Sequence, residues 1–183
     1  MELQKRLGGV NIYLVGMMGA GKTTVGRLLA QRLGYGFLDT DAVITEFRQR
    51  PIREIFAQEG EAAFRELEQQ VLAQVSCYHH LVVATGGGIV LSPMNWSYLR
   101  HGIVVWLSVP LAVLCQRLRH DQERPLLQEQ PLEERLGELL KTRQHLYAQA
   151  DLELNITAKD TPETVCDRLW EALPGILKPT EPC

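Results

Sequence analysis
The chain predicts an α/β fold, in which one sheet of five parallel strands is covered on both faces by helices to give three αβα layers. Two observations carry this. Short apolar, β-branched runs alternate along the chain with longer stretches of helical spacing. Every chemically suggestive motif falls just after a predicted strand or in a polar connection, where ligands gather in parallel sheets.

Ile12–Val15 predicts the first strand, and Val25–Leu33 the helix that follows a glycine-rich turn. Tyr35–Asp39 reads as a short second strand ending in acid. Phe47–Phe56 and Ala62–Val75 read as helices, the second with Phe64, Leu67, Val71, Leu72 and Val75 at helical spacing. Leu81–Ala84 is a buried-strand run stopped by Gly86-Gly87-Gly88. Ile103–Leu107 is the fourth strand, and Pro110 opens a helix through Leu118. Arg119–Gln130 is polar, carries Pro125 and shows no convincing period. Leu132–Tyr147 is helical again, Leu152–Ile156 the last strand, and Pro162–Leu173 a closing helix with Thr161 as its cap. From Pro174 onward the chain is expected to fray. No repeat or linker divides the sequence, so residues 1–175 read as one domain and 176–183 as a tail.

With 183 residues, 45% hydrophobic and 22% charged, the chain can bury a sizeable core. A net charge of −3 argues against a nucleic-acid footprint, which needs surplus Lys and Arg. Fourteen of the 19 basic residues are Arg, so several are candidates for anion binding rather than general surface charge. Cys77, Cys115, Cys166 and Cys183 show no C-x-x-C spacing and read as reduced thiols of a cytoplasmic protein. No apolar stretch is long enough to cross a bilayer, and no exposed apolar stripe is evident. A monomer with no membrane partner is therefore expected.

Gly16-Met17-Met18-Gly19-Ala20-Gly21-Lys22-Thr23 fits G-x-x-x-x-G-K-[ST] between a strand and a helix, the context of a phosphate-binding loop. Glycines let successive backbone N–H groups turn inward, and the helix N-terminus adds partial positive charge. Lys22 can reach the β- and γ-phosphates, and the Thr23 hydroxyl can ligate Mg²⁺. Gly19, Ala20, Gly21, Lys22, Thr23 and Thr24 are thus candidate nucleotide-binding residues. At the end of the second strand, Asp39 and Asp41 flank one residue and point the same way in extended backbone. One carboxylate can serve a metal shell and the other a substrate hydroxyl. The competing explanation is an Asx turn that caps the next helix.

Three further stretches follow in order: Phe64-Arg65-Glu66-Leu67-Glu68, Ala84-Thr85-Gly86-Gly87-Gly88 and Arg124-Pro125-Leu126-Leu127. Arg143 and then Tyr147 lie on the next helix. With the phosphate loop and the aspartate pair, the set closely resembles shikimate kinase from Asn11 to about Pro162. The resemblance implies a P-loop kinase fold like that of nucleoside monophosphate kinases, with a mobile lid over about 119–130 and a substrate-binding segment over about 39–70. It implies ATP as co-substrate, one Mg²⁺ per subunit, and phosphorylation of the 3-hydroxyl of shikimate to shikimate 3-phosphate, a step toward chorismate and the aromatic amino acids.

Carried over by position, Lys22, Asp41 and Arg124 resemble the catalytic set. Asp41 is the acid at the shikimate hydroxyl and candidate base, and Arg124 is the lid arginine that reaches the phosphates. Arg65 and Arg143 resemble the pair that holds the shikimate carboxylate, Gly87 a backbone contact to the substrate, and Thr23 the magnesium ligand. Arg117 takes the place of the arginine beside adenine, and Pro162 that of the residue on its other face.

These assignments are physically reasonable, because a forked guanidinium matches a carboxylate. Alternatives remain on the residues themselves. Arg65 can pair along its helix with Glu61 or Glu68, and Arg143 can lie on a solvated face. Glu68 either orients Arg65 or is exposed, the three glycines can be a flexible turn, and Arg119–Gln130 an ordinary loop. No strand ends in the apolar run plus Asp of a Walker B motif, so magnesium must rely on Thr23, phosphate oxygens and water, with Asp39 as an outer acceptor. Asp160 stands where family members often carry a basic residue, which weakens a side-chain nucleotide contact there. The five histidines show no metal-ligand spacing. Rival functions are another small-molecule kinase, for gluconate or a nucleoside monophosphate, and a non-catalytic nucleotide-binding module. The retained Lys22, Asp41 and arginines speak against the module.

Overall fold
A computed structural model describes residues 2–119 and 131–177. Its strands β1 (Ile12–Val15), β2 (Gly36–Asp39), β3 (Leu81–Ala84), β4 (Ile103–Ser108) and β5 (Leu152–Asn155) form one all-parallel sheet in the order β2-β3-β1-β4-β5. The helices are α1 (Glu2–Leu7), α2 (Lys22–Leu33), α3 (Thr40–Arg48), α4 (Ile52–Val75), α5 (Pro93–Leu99), α6 (Leu111–Leu118), α7 (Leu132–Tyr147) and α8 (Pro162–Ile176), with a 3₁₀ turn at Ile89–Leu91. Among these residues no helix is long and apolar enough to cross a membrane.

Every residue of β1 is buried, as is all of β4 except its last, which is what helices on both faces of a central strand require. Register places the site. Leu14 pairs with Ala84, and Ala84 with Asp39, so β1, β3 and β2 end level with one another. The phosphate loop, the glycine triplet and the aspartate pair therefore leave the same carboxyl edge side by side, with β1 at its centre. A second, smaller core of Ile44, Ile55, Phe64 and Leu67 ties α3 to α4, and Phe56 and Phe64 rings pack at 4.7 Å.

All five strands stand where expected, to within one residue at either end. The helices differ more. Phe47–Phe56 is not one helix, because Pro51 separates α3 from α4: its ring disfavours helical backbone at Arg50 and removes an N–H. The expected Ala62–Val75 helix continues back to Ile52, broken at Gly60 (φ 83°), a left-handed conformation open to glycine. α3 begins at Thr40, well ahead of the expected start at Phe47, and two further short helices were not expected. α1 docks through Leu3 and Leu7, and its Gln4 amide donates to the Leu33 carbonyl at the end of α2. α5 is held to the 3₁₀ turn by Asn95 and Trp96, which donate to the carbonyls of Ile89 and Val90. The chain does not fray at Pro174. α8 runs to Ile176, with Leu173 fully buried, and the Pro174 carbonyl accepts from Arg6.

Candidate active site
The loop after β1 turns into α2 at Gly21, whose φ of 94° suits glycine. Lys22 folds over this loop, and its Nζ donates to the carbonyls of Gly16 (2.8 Å) and Met17 (2.9 Å). Arg117 crosses from α6 to donate to the carbonyls of Gly19 (3.0 Å) and Ala20 (3.4 Å). Beside them opens a cavity of about 330 Å³ lined by Gly19, Ala20, Gly21, Thr24, Arg117, Asp160 and Pro162. The residues expected at the two faces of adenine thus share one hollow with the loop. Asp160 is committed to its own turn: Oδ2 accepts from the Thr157 amide (2.7 Å), the Thr157 hydroxyl (3.0 Å) and Arg168 (3.1 Å).

Asp39 takes the capping reading and also reaches the phosphate loop, while Asp41 stands in the first turn of α3 rather than in extended backbone. Asp39 Oδ1 accepts from the amides of Asp41 (3.0 Å) and Ala42, capping α3, while Oδ2 accepts from the Thr23 hydroxyl at 2.6 Å. That bond turns the Thr23 proton toward Asp39 and leaves the oxygen lone pairs to the loop side. A hard oxygen donor of this kind fits Mg²⁺, and no group of three or more His, Cys, Asp or Glu that could hold a metal exists among the described residues.

The glycine triplet is where the remaining candidates meet. The Gly86 amide donates to the buried Thr40 hydroxyl (3.0 Å), and a Cβ placed on Gly86 would collide with Glu68 Oε1 and lie 2.7 Å from Asp41 Oδ1. A Cβ on Gly88 would collide with the Arg65 guanidinium. A Cβ on Gly87 would stand 3.5 Å from the Met18 nitrogen, 3.6 Å from the Gly16 oxygen and 3.7 Å from Arg143 Nη1. These are close backbone approaches, which glycine alone allows at Gly86 and Gly88.

The charges around this turn are buried. Arg143 is 3% exposed, which rejects the solvated face, and its Nη1 has no hydrogen-bond partner among the described residues. Arg65 forms both of its helix pairs, to Glu61 (2.9 Å) and to Glu68, and is still placed over Gly88. Glu68 is not exposed. Burial pushes its carboxyl up to about 7, the nearby Asp41 charge adds to the rise, and Arg65 and Arg143 oppose it.

The sign of that shift gives a stability prediction. Folded Glu68 keeps its proton to about 7 against an ordinary value of 4.5, so its contribution is full below the lower value and is lost as pH rises through the upper. Glu68→Gln removes this slope. The melting temperature of the native chain relative to the variant is expected to fall between about pH 5 and about pH 8. Parallel melting curves across that range would contradict the burial argument.

The structure thus gathers Lys22, Thr23, Asp41, Arg65, Gly87 and Arg143 at one edge, and sets Arg117 and Pro162 in the adjoining hollow. Arg124 lies outside the described residues. Two contacts were not anticipated, although Tyr147 belongs to the motif set that carries the resemblance. Thr40, between the aspartates, holds the Gly86 amide, and Tyr147 donates to the Gly87 carbonyl at 2.6 Å.

Comparison with known proteins shows the family to which this fold and chain belong. The shikimate kinase family model matches residues 18–174. A shikimate kinase of Thermosynechococcus vestitus is 87% identical over 183 residues, covering 100% of both chains. Among solved structures, a shikimate kinase from Acinetobacter baumannii in complex with shikimate aligns with a TM-score of 0.89 at 39% identity, over 94% of this chain and 97% of that one. A deoxyadenosine kinase from M. mycoides, at 17% identity and TM-score 0.61 over 90% of this chain and 99% of that one, shares the fold alone.

Proposed function
The chain belongs to the shikimate kinase family, and on that footing we propose how its own residues divide the transfer of a phosphoryl group from ATP to the 3-hydroxyl of shikimate. The loop amides and Lys22 hold the phosphates, exchanging the ammonium's bonds to the Gly16 and Met17 carbonyls for stronger ones to anionic oxygens. Adenine enters the hollow between Arg117 and Pro162. Thr23, oriented by Asp39, is the protein ligand for one Mg²⁺. The bound ion would neutralise charge on the β- and γ-phosphate oxygens. Arg143 and Arg65 take the shikimate carboxylate, Gly87 lets the ring lie against its backbone, and Asp41 receives the 3-hydroxyl.

Asp41 orients that hydroxyl and accepts its proton. With a loose transition state the proton leaves late, so positioning contributes more than basicity. Arg124, in the expected lid over about 119–130, would bring a further cation to the transferring group as water is excluded. The proposal takes residues 1–175 as one domain, with the substrate-binding segment at about 39–70, acting as a cytoplasmic monomer.

One observation carries this reading. A Cβ added at Gly87 would stand within 3.7 Å of both the phosphate-loop backbone and an Arg143 nitrogen with no hydrogen-bond partner among the described residues, so the turn lies between the two and donor and acceptor pockets share a wall. The test is a coupled assay of ADP release with shikimate, gluconate or nucleoside monophosphates as acceptor. Release with shikimate alone, and only with Mg²⁺, is expected. Equal release with gluconate or a nucleotide would reject the assignment. Arg117→Ala, which also frees the Gly19 and Ala20 carbonyls, is expected to raise KM for ATP about tenfold and to leave KM for shikimate unchanged. An unaltered ATP KM would remove Arg117 from the nucleotide pocket.

A further inference from the structure
Tyr147 has no part in the scheme above, yet it touches three pieces of the cleft. Its side chain is fully buried at the end of α7, one helical turn after Arg143 and on the same face. Its hydroxyl donates to the Gly87 carbonyl at 2.6 Å and lies 3.7 Å from the sulfur of Met17 in the phosphate loop. Its ring stacks on Trp106 of β4, with centroids 5.9 Å apart and planes 25° from parallel. Trp106 in turn underlies the loop, since a Cβ on Gly16 would sit 3.5 Å from its ring.

A glycine turn without side chains has no packing of its own to fix its peptide planes. Gly86 is tied by Thr40, and the Gly88 carbonyl accepts from the Leu91 amide, which closes the 3₁₀ turn. The Gly87 carbonyl has the Tyr147 hydroxyl. That bond sets the plane of the peptide between Gly87 and Gly88, and hence how Gly87 faces the cleft. Burial pushes the Tyr147 hydroxyl up to about 12, so it stays a donor throughout the working range.

We propose that Tyr147 is a positioning residue for shikimate: its hydroxyl clamps the Gly87 peptide against the phosphate loop, so that the glycine turn and Arg143 meet the substrate as one preformed surface. The proposal rests on the functional reading given above. It concerns geometry, and no bond to substrate is assigned to the phenol. α7 thereby supplies two elements of one subsite, a guanidinium for the carboxylate and a hydroxyl for the turn beside it, at a fixed spacing of one turn.

Tyr147→Phe keeps the ring and its stacking and removes the clamp, together with the hydroxyl's contacts to the Met17 sulfur and to Arg143. KM for shikimate is expected to rise about fivefold, with KM for ATP within about twofold of the native value. Amide exchange of Gly88 in the ligand-free protein, followed by NMR, is expected to quicken about fivefold, because that N–H belongs to the clamped peptide. A structural role alone would lower the melting temperature and leave the two KM values in their original ratio, and that result overturns the proposal. Unchanged Gly88 exchange overturns it as well. A native chain with no shikimate-dependent ADP release would fail the functional reading, and the exchange measurement then decides the clamp by itself.

Discussion
Asp41→Asn is expected to lower kcat by about two to four orders of magnitude while KM for ATP stays near its native value. The substitution keeps the shape of the side chain. Its backbone is fixed from both sides, by its N–H, which donates to Asp39 Oδ1 at 3.0 Å, and by the Thr45 hydroxyl that donates to the Asp41 carbonyl at 2.9 Å. The new amide therefore occupies the old position beside Gly86, and what is lost is charge and proton affinity. Steady-state kinetics with both substrates separates this from misfolding, because a misfolded chain would lose ATP binding as well. A second consequence follows from the Asp41 charge that raises Glu68: the neutral variant lets the Glu68 carboxyl ionise at lower pH. Turnover within about tenfold of native would show that Asp41 neither orients nor deprotonates the acceptor.

Arg143→Ala is expected to raise KM for shikimate about a hundredfold or more, the cost of stranding a carboxylate in a buried site without its forked partner. ATP binding should be spared, since Gly87 stands between Arg143 and the phosphate loop. Stability moves less than the burial of Arg143 suggests. The native guanidinium is itself a desolvated charge with one nitrogen unpartnered among the described residues, so truncation exchanges that cost for a cavity. Arg143→Lys is expected to recover little of the affinity, because an ammonium offers no planar fork. Calorimetric titration of shikimate into the variant reads this directly. Affinity within a few-fold of native would assign the carboxylate to Arg65 alone.

The sheet was legible because a parallel strand covered on both faces must be apolar throughout, and Ile12–Val15 and Ile103–Leu107 carry that signature without help from their neighbours. The site was legible for a related reason: phosphate and carboxylate chemistry restricts the residue types at Lys22, Thr23, Asp41 and Arg143. What escaped depends on contacts distant in the chain. α1 exists because Leu3, Leu7 and Gln4 find α2, and α5 because Asn95 and Trp96 find free carbonyls on the 3₁₀ turn. Neither segment has a strong period of its own. The break at Pro51 was present in the sequence, and the steric rule for the residue before proline locates it. Arg65 could not be resolved from spacing, because helix pairing and a place over Gly88 need the same position, and the structure shows both. Tyr147 stood four residues from Arg143 in plain view, but only the fold brings its hydroxyl to Gly87.

The central claim is that one glycine separates the phosphate cradle from the carboxylate grip. A crystal structure of the chain with shikimate and ADP tests it most directly. The account predicts the shikimate carboxylate within about 3 Å of Arg143 and Arg65, the ring against Gly87, and the 3-hydroxyl on Asp41 facing the phosphate loop. Shikimate bound with its carboxylate toward Lys22, or at a place not touching Gly87, would contradict it.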